Sequence, residues 1–109
     1  MYSVERIKKL YRQAKQLLAL LGFANIQLHF GDGNLGWPEH SPYDGILVAA
    51  AAIATPPALL EQLKPGGRLI IPVEHNFGQD LKVITRIENE FVSQIVERVM
   101  FVPLLKGVE

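Results

Sequence analysis

Apolar residues recur at Ile7, Leu10, Tyr11, Ala14, Leu17, Leu18 and Leu21, and basic or amide side chains fill the positions between them. A spacing of three and four is the signature of one helix face turned to a core, and Gly22 sits where such a helix ends on a left-handed residue. Met1–Val4, before it, reads as the end of a strand. After it, Ile26, Leu28 and Phe30 alternate with Gln27 and His29, the period of a half-covered strand at a sheet edge. Gly36, Pro38 and Pro42 argue against a helix between Asn34 and Tyr43. An unbroken apolar run, Ile46 to Ile53, then predicts a strand buried on both faces of a parallel sheet.

Thr55-Pro56-Pro57 predicts a helix start, with Thr55 as N-cap and proline at the first helical position. Ala58, Leu59, Leu60 and Leu63 form its body, and Lys64-Pro65-Gly66-Gly67 stops it. Arg68–Val73 is a short apolar strand. The pattern then changes: Leu81, Val83, Thr85 and Ile87 alternate, Glu88-Asn89-Glu90 reads as a turn, and Phe91–Val102 is a second β-rich run. These two form an antiparallel hairpin. The order is β-α-β-loop-β-α-β-β-β. It describes an α/β fold, one domain over 1–109, with a mostly parallel sheet, right-handed crossovers and an antiparallel end.

Composition narrows the functional classes. Eleven basic and eleven acidic residues cancel, which removes the electrostatic case for nucleic acid or an anionic membrane surface. With no cysteine there is no disulfide, no thiolate metal site and no cysteine nucleophile, as suits a reducing cytoplasm. The longest apolar stretch, Ile46 to Ala54, is far too short to span a bilayer. A cytoplasmic protein is therefore expected.

Candidate chemistry concentrates at Gly31-Asp32-Gly33, directly after the Ile26–Phe30 strand. Ligands in open α/β sheets bind beyond the carboxyl ends of strands, and the flanking glycines let a ligand approach the backbone. The same three residues also make an ordinary turn. Glu5 follows the first strand and reads equally as a carboxylate favoured by a helix N-terminus. His29, His40 and His75 have no metal-ligand spacing, so no metal is expected. Trp37 either packs the loop down or flanks a ligand. Met100 and Phe101 read as core. Asp44 terminates a loop and carries no chemistry, and no Ser/His/Asp or Cys/His arrangement is present, so no catalytic side chain is assigned.

Five segments nevertheless come in one order at compatible spacings. They are YSVERI at Tyr2–Ile7, GDGNLGW at Gly31–Trp37, PYDGILVAAA at Pro42–Ala51, QLKPGGRLIIPV at Gln62–Val73 and FVPLLKG at Phe101–Gly107. Together they make the chain resemble the C-terminal portion of the protein-L-isoaspartate O-methyltransferases. The resemblance implies a Rossmann-like fold and S-adenosyl-L-methionine as cofactor. The implied reaction is methylation of the free α-carboxylate of L-isoaspartyl residues in damaged proteins, a repair step that proceeds through a succinimide. Because carboxylate and methyl sulfonium are both already reactive, such a protein has mainly to align them and exclude water.

Carried over residue by residue, the resemblance makes Glu5 the acceptor for the ribose hydroxyls and Asp32 the acceptor for the adenine amine, with Gly33 admitting the ring. Ala49 and the Val102-Pro103-Leu104 segment match positions on the substrate side. Ala49 stands where threonine or glycine is common, and Leu105 where a polar residue can occur. The chain has no counterpart of the family's first strand and Gly-rich loop, which cradle the methionine end. In the family's sheet order that strand lies between Met1–Val4 and Gly45–Ala50. Its absence predicts a slot of ~9–10 Å with two raw edges. Three readings stay open: a truncated enzyme that works with a complementary N-terminal segment, a non-catalytic remnant or binding module, and a chain that fills the slot by self-association.

Overall fold

The computed structural model describes residues 1–22, 25–76, 78–100 and 102–109. Its sheet is split in two. β1 (Tyr2–Glu5) and β2 (Gln27–Phe30) form one parallel pair, joined by helix α1 (Lys8–Leu21). β3 (Tyr43–Leu47), β4 (Leu63–His75), β5 (Gly78–Ile87) and β6 (Glu90–Val99) form a second sheet in that order. β3 runs parallel to β4 and the remaining pairs are antiparallel. The expected α/β architecture, parallel first and antiparallel last, is what the structure shows.

β1 pairs only with β2, and β3 only with β4, among the described residues. Both therefore keep one unpaired parallel edge. The Tyr2 and Tyr43 rings, on the first residues of those two strands, lie 5.9 Å apart between centroids.

The core belongs to the second sheet. Leu63, Leu69 and Ile71 have no solvent exposure, and Ala52, Leu59, Val73 and Ile84 pack with them. Ile46 and Leu104 close over this cluster from the side. Leu69, Ile71 and Val73 of β4 and Ile84 of β5 lie on one face of the sheet, and helix α2 (Pro57–Glu61) packs against β4. The opposite face carries the cross-strand row Leu47, Ile70 and Val83, and Leu47 is 74% exposed.

Several expectations are corrected here. The Ile46–Ile53 run is not a strand buried on both faces: the strand ends at Leu47, and Leu47 and Ile53 face solvent. Apolar composition sets the preference for burial, but among the described residues no strand pairs with the outer edge of β3, and within the run Ala51 and Ala52 are buried while Leu47 and Ile53 are not. Helix α1 keeps the predicted Gly22 terminus, with a left-handed φ of 77° and its amide returned to Ala19, yet none of its residues is buried. The Asn34–Tyr43 loop is free of α-helix but contains single 3₁₀ turns at Gly33–Leu35 and Pro38–His40.

α2 starts one residue later than predicted. Pro56 is the N-cap and makes no side-chain cap bond, so Thr55 does not cap it. Strand β4 begins at Leu63, earlier than the predicted Arg68, because Lys64-Pro65-Gly66-Gly67 is drawn in with a register shift against β3. Met100 is 88% exposed and not core. The Phe101 expectation lies outside the described residues.

Candidate functional site

The site is built where β1 and β2 end. Parallel pairing sets Glu5 beside Phe30, and the Gly31 amide donates to the Glu5 carbonyl at 3.0 Å, extending the ladder by one step. The next residue is Asp32. Two carboxylates thus stand on adjoining strand ends, at the edge where α/β sheets take ligands.

Glu5 is anchored by one oxygen. Its Oε2 accepts the amides of Arg6 at 2.8 Å and Ile7 at 3.4 Å, just before the first turn of α1. Amides that have no helical carbonyl to serve are satisfied in this way, and the partial positive charge of a helix start favours the carboxylate.

Asp32 caps the 3₁₀ turn that follows it. Its Oδ1 accepts both the Asn34 amide at 2.9 Å and the Asn34 side-chain Nδ2 at 3.0 Å. Its Oδ2 accepts the Gly107 amide at 3.0 Å. Burial works against ionisation of this carboxyl. The Gly107 and Asn34 amides, the Asn34 side chain and the Arg6 guanidinium outweigh it and hold the carboxyl below the ordinary aspartate value.

A joint of buried polar bonds holds the following loop. The Gln62 side chain, 6% exposed, donates from Nε2 to the Leu35 carbonyl at 2.9 Å and accepts the Trp37 amide at 2.9 Å on Oε1. Gly36 passes so close to this amide group, at φ 62°, that a Cβ there would meet Gln62 Oε1 at 2.3 Å. Trp37 stacks on His29 at 4.8 Å and meets Tyr2 and His40 edge-on, while His40 stacks on Tyr2. Trp37 therefore packs the loop down onto β1 and β2. The Tyr43 hydroxyl donates to the Trp37 carbonyl, and burial with the neighbouring Tyr2 phenol raises its pKa.

Glu5, Asp32 and Gly33 are brought together, and Leu104 joins them: a Cβ on Gly33 would meet Leu104 Cδ1 at 3.5 Å. Pro103 bridges Ala51 at the end of the second sheet, and the Ala51 amide donates to the Val102 carbonyl at 2.6 Å. Val102 and Ala49 are exposed. His75 lies at the β4–β5 turn, away from His29 and His40, and no group of His, Asp or Glu suited to a metal occurs among the described residues.

Sequence reading missed three participants. Asn34 had a signal, since Asp-Gly-Asn is an Asx-turn pattern. Arg6 and Gly107 had none. They meet this site only because residues a hundred positions apart are folded together.

Comparison with known proteins finds one family. The sequence model of the family described as “Protein-L-isoaspartate(D-aspartate) O-methyltransferase (PCMT)” matches residues 1–109. A protein-L-isoaspartate O-methyltransferase of Shewanella amazonensis is 51% identical over 105 residues, covering 96% of this chain and 49% of its own length. One from Vibrio atlanticus is 52% identical over 106 residues, covering 97% and 50%. The chain thus spans about half the length of the curated relatives it matches. Among solved structures, a protein-L-isoaspartate O-methyltransferase superposes with a TM-score of 0.88 at 32% identity, over 94% of this chain and 33% of that one. A second, from Plasmodium falciparum in complex with S-adenosyl-L-homocysteine, gives 0.83 at 28% identity, over 97% and 52%.

Proposed function

Since the chain belongs to the protein-L-isoaspartate O-methyltransferase family, we propose that it is the nucleoside-holding part of an enzyme that methylates the α-carboxylate of L-isoaspartyl residues in proteins. The observation that carries this reading is the pair of carboxylates at the adjoining ends of β1 and β2. They fit the nucleoside end of S-adenosyl-L-methionine. Glu5 has Oε2 fixed by two amides, and its Oε1 would accept from the ribose hydroxyls. Asp32, ionised and held by Asn34, accepts from the exocyclic amine of adenine, and Gly33 gives the ring room to lie against the backbone.

When bound, the cofactor supplies an activated methyl group on a sulfonium. The residues of this chain contribute binding and alignment, and no proton transfer is required of them because the substrate carboxylate is already ionised. Ala49 and Val102-Pro103-Leu104 flank the substrate side.

No residue of the chain is assigned to the methionine end. We assign that task to a complementary N-terminal segment whose strand lies between β1 and β3. The two unpaired parallel edges and the half-length coverage of the relatives support this. Occupation of the same edges by a second copy of the chain is the competing arrangement. Among the described residues no helix is long and apolar enough to cross a membrane. A cytoplasmic setting is part of the proposal.

The test is methyl transfer to an isoaspartyl peptide, assayed with the chain alone and with the N-terminal half of the Shewanella relative. Activity is expected only in the mixture. A silent mixture beside an active intact relative counts against the reading.

One observation favours a second reading, a non-catalytic module of the same fold: every oxygen of Asp32 already has a partner within the chain. Calorimetry with S-adenosyl-L-homocysteine separates the two. Micromolar binding by the chain removes the non-catalytic module, and no binding even in the reunited protein supports it.

A further inference from the structure

The segment Leu105–Glu109 runs from Asp32 and Asn34, at the end of β2, to Arg6 and Lys8 at the start of α1. On the Asp32 side, the Gly107 amide donates to Asp32 Oδ2 at 3.0 Å, Asn34 Nδ2 reaches the Leu105 carbonyl at 3.5 Å, and Leu104 lies against Gly33. On the Glu5 side, Arg6 donates from Nε to the Gly107 carbonyl at 3.2 Å and from Nη2 to the Lys106 carbonyl at 3.5 Å. It also pairs with the Glu109 carboxylate at 3.2 Å. The Lys8 amide donates to the Glu109 carbonyl and the Glu109 amide to the Arg6 carbonyl, each at 2.7 Å. Gly107, at φ 77°, supplies the left-handed turn that aims its amide at Asp32.

One of these contacts, the Gly107 amide on Asp32 Oδ2, is on an oxygen a nucleoside would need. Asp32 Oδ1 already has two donors from Asn34, so an incoming amine must use Oδ2, which Gly107 holds. Leu104 borders the Gly33 surface that would admit a ring. The segment is held by polar contacts and not by burial: Leu105 and Val108 are half exposed, and Glu109 is 64% exposed in its ion pair. Exposed bonds of this kind exchange readily with water.

We propose that Leu105–Glu109 is a displaceable strap that occupies the Asp32 end of the nucleoside subsite, so that cofactor binding has to expel it. This rests on the reading of Glu5 and Asp32 as nucleoside ligands and adds a regulator to that site. A site open in only a fraction of molecules binds more weakly by that fraction.

The experiment is calorimetric titration with S-adenosyl-L-homocysteine of the 109-residue chain, of Gly107→Pro, and of a chain ending at Leu104, each with and without the complementary half. Proline removes the amide donor and cannot adopt the left-handed turn. Both variants are expected to bind about tenfold tighter than the parent, the gain if the strap is closed nine-tenths of the time. Asp32→Asn in the shortened chain should abolish that gain. In the unmodified chain, saturating ligand should speed hydrogen exchange at the Gly107 and Glu109 amides, which needs no variant to fold. Equal or weaker binding by both variants, with those amides protected by ligand, overturns the strap and makes the segment a wall of the pocket. The nucleoside reading survives that outcome. If nothing binds even where the Glu109 amide of Gly107→Pro exchanges freely, the nucleoside reading falls and the strap falls with it.

Discussion

The two halves of this molecule are held together by different physics. In the β3–β6 sheet, Leu63, Leu69 and Ile71 are sealed from solvent and contiguous with Leu59, Val73 and Ile84. In the β1–α1–β2 unit no residue of the helix is buried, and Leu10, Leu17, Leu20 and Leu21 are 44% to 83% exposed. Its attachments are polar or aromatic: the Gln62 bonds, the Tyr2–Trp37–His40 rings and the strap over Arg6 and Asp32. The half that carries both candidate carboxylates is therefore the half without a core of its own. Its two-stranded sheet also falls short of the three or more strands usually required for independent stability.

The sharpest way to break the comparison is to truncate one leucine in each half. Leu69→Ala should cost about 2–5 kcal/mol, because it opens a cavity in the buried core. Leu17→Ala should stay within about 0.5 kcal/mol. Urea unfolding followed by far-ultraviolet circular dichroism checks both, and equal costs would erase the distinction. Next comes the joint. Gln62→Ala strands the Trp37 amide and the Leu35 carbonyl, at a cost of about 1–3 kcal/mol. Trp37 fluorescence should then report loosening at lower urea than the β-sheet signal does. If the two transitions stay coincident, Gln62 does not join the halves.

The smallest effect is that of pH on Asp32. Its carboxyl is held below the ordinary aspartate value in the folded chain. Its contribution is therefore complete above the unfolded pKa and is lost as pH falls through the lower folded value. The melting-temperature gap between the parent chain and Asp32→Asn should be full at neutral pH and shrink below about pH 4. A gap that widens on acidification contradicts this assignment.

Much of this was legible in the sequence. Helix α1 and its Gly22 terminus, the β5–β6 hairpin and the change from parallel to antiparallel pairing follow from periodicity and turn residues, which act locally. Burial of Ile46–Ile53 did not follow, because whether an apolar strand is covered depends on what lies beside it. The α2 cap was misplaced by one residue, since Thr55, Pro56 and Pro57 are each compatible with a helix start. For the site, Glu5, Asp32 and Gly33 stand on adjoining strand ends. The Gly107 and Arg6 contacts arise from chain closure over a hundred residues, on which local pattern is silent.

The central claim is that Glu5 and Asp32 hold a nucleoside, and it is tested most directly in the reunited protein. S-adenosyl-L-homocysteine affinity should be measured there with and without the double substitution Glu5→Ala and Asp32→Ala. Hydrogen bonds to charged groups contribute about 1.5–3 kcal/mol each, so a loss of at least about a hundredfold is predicted. An affinity unchanged by removing both carboxylates would contradict the account.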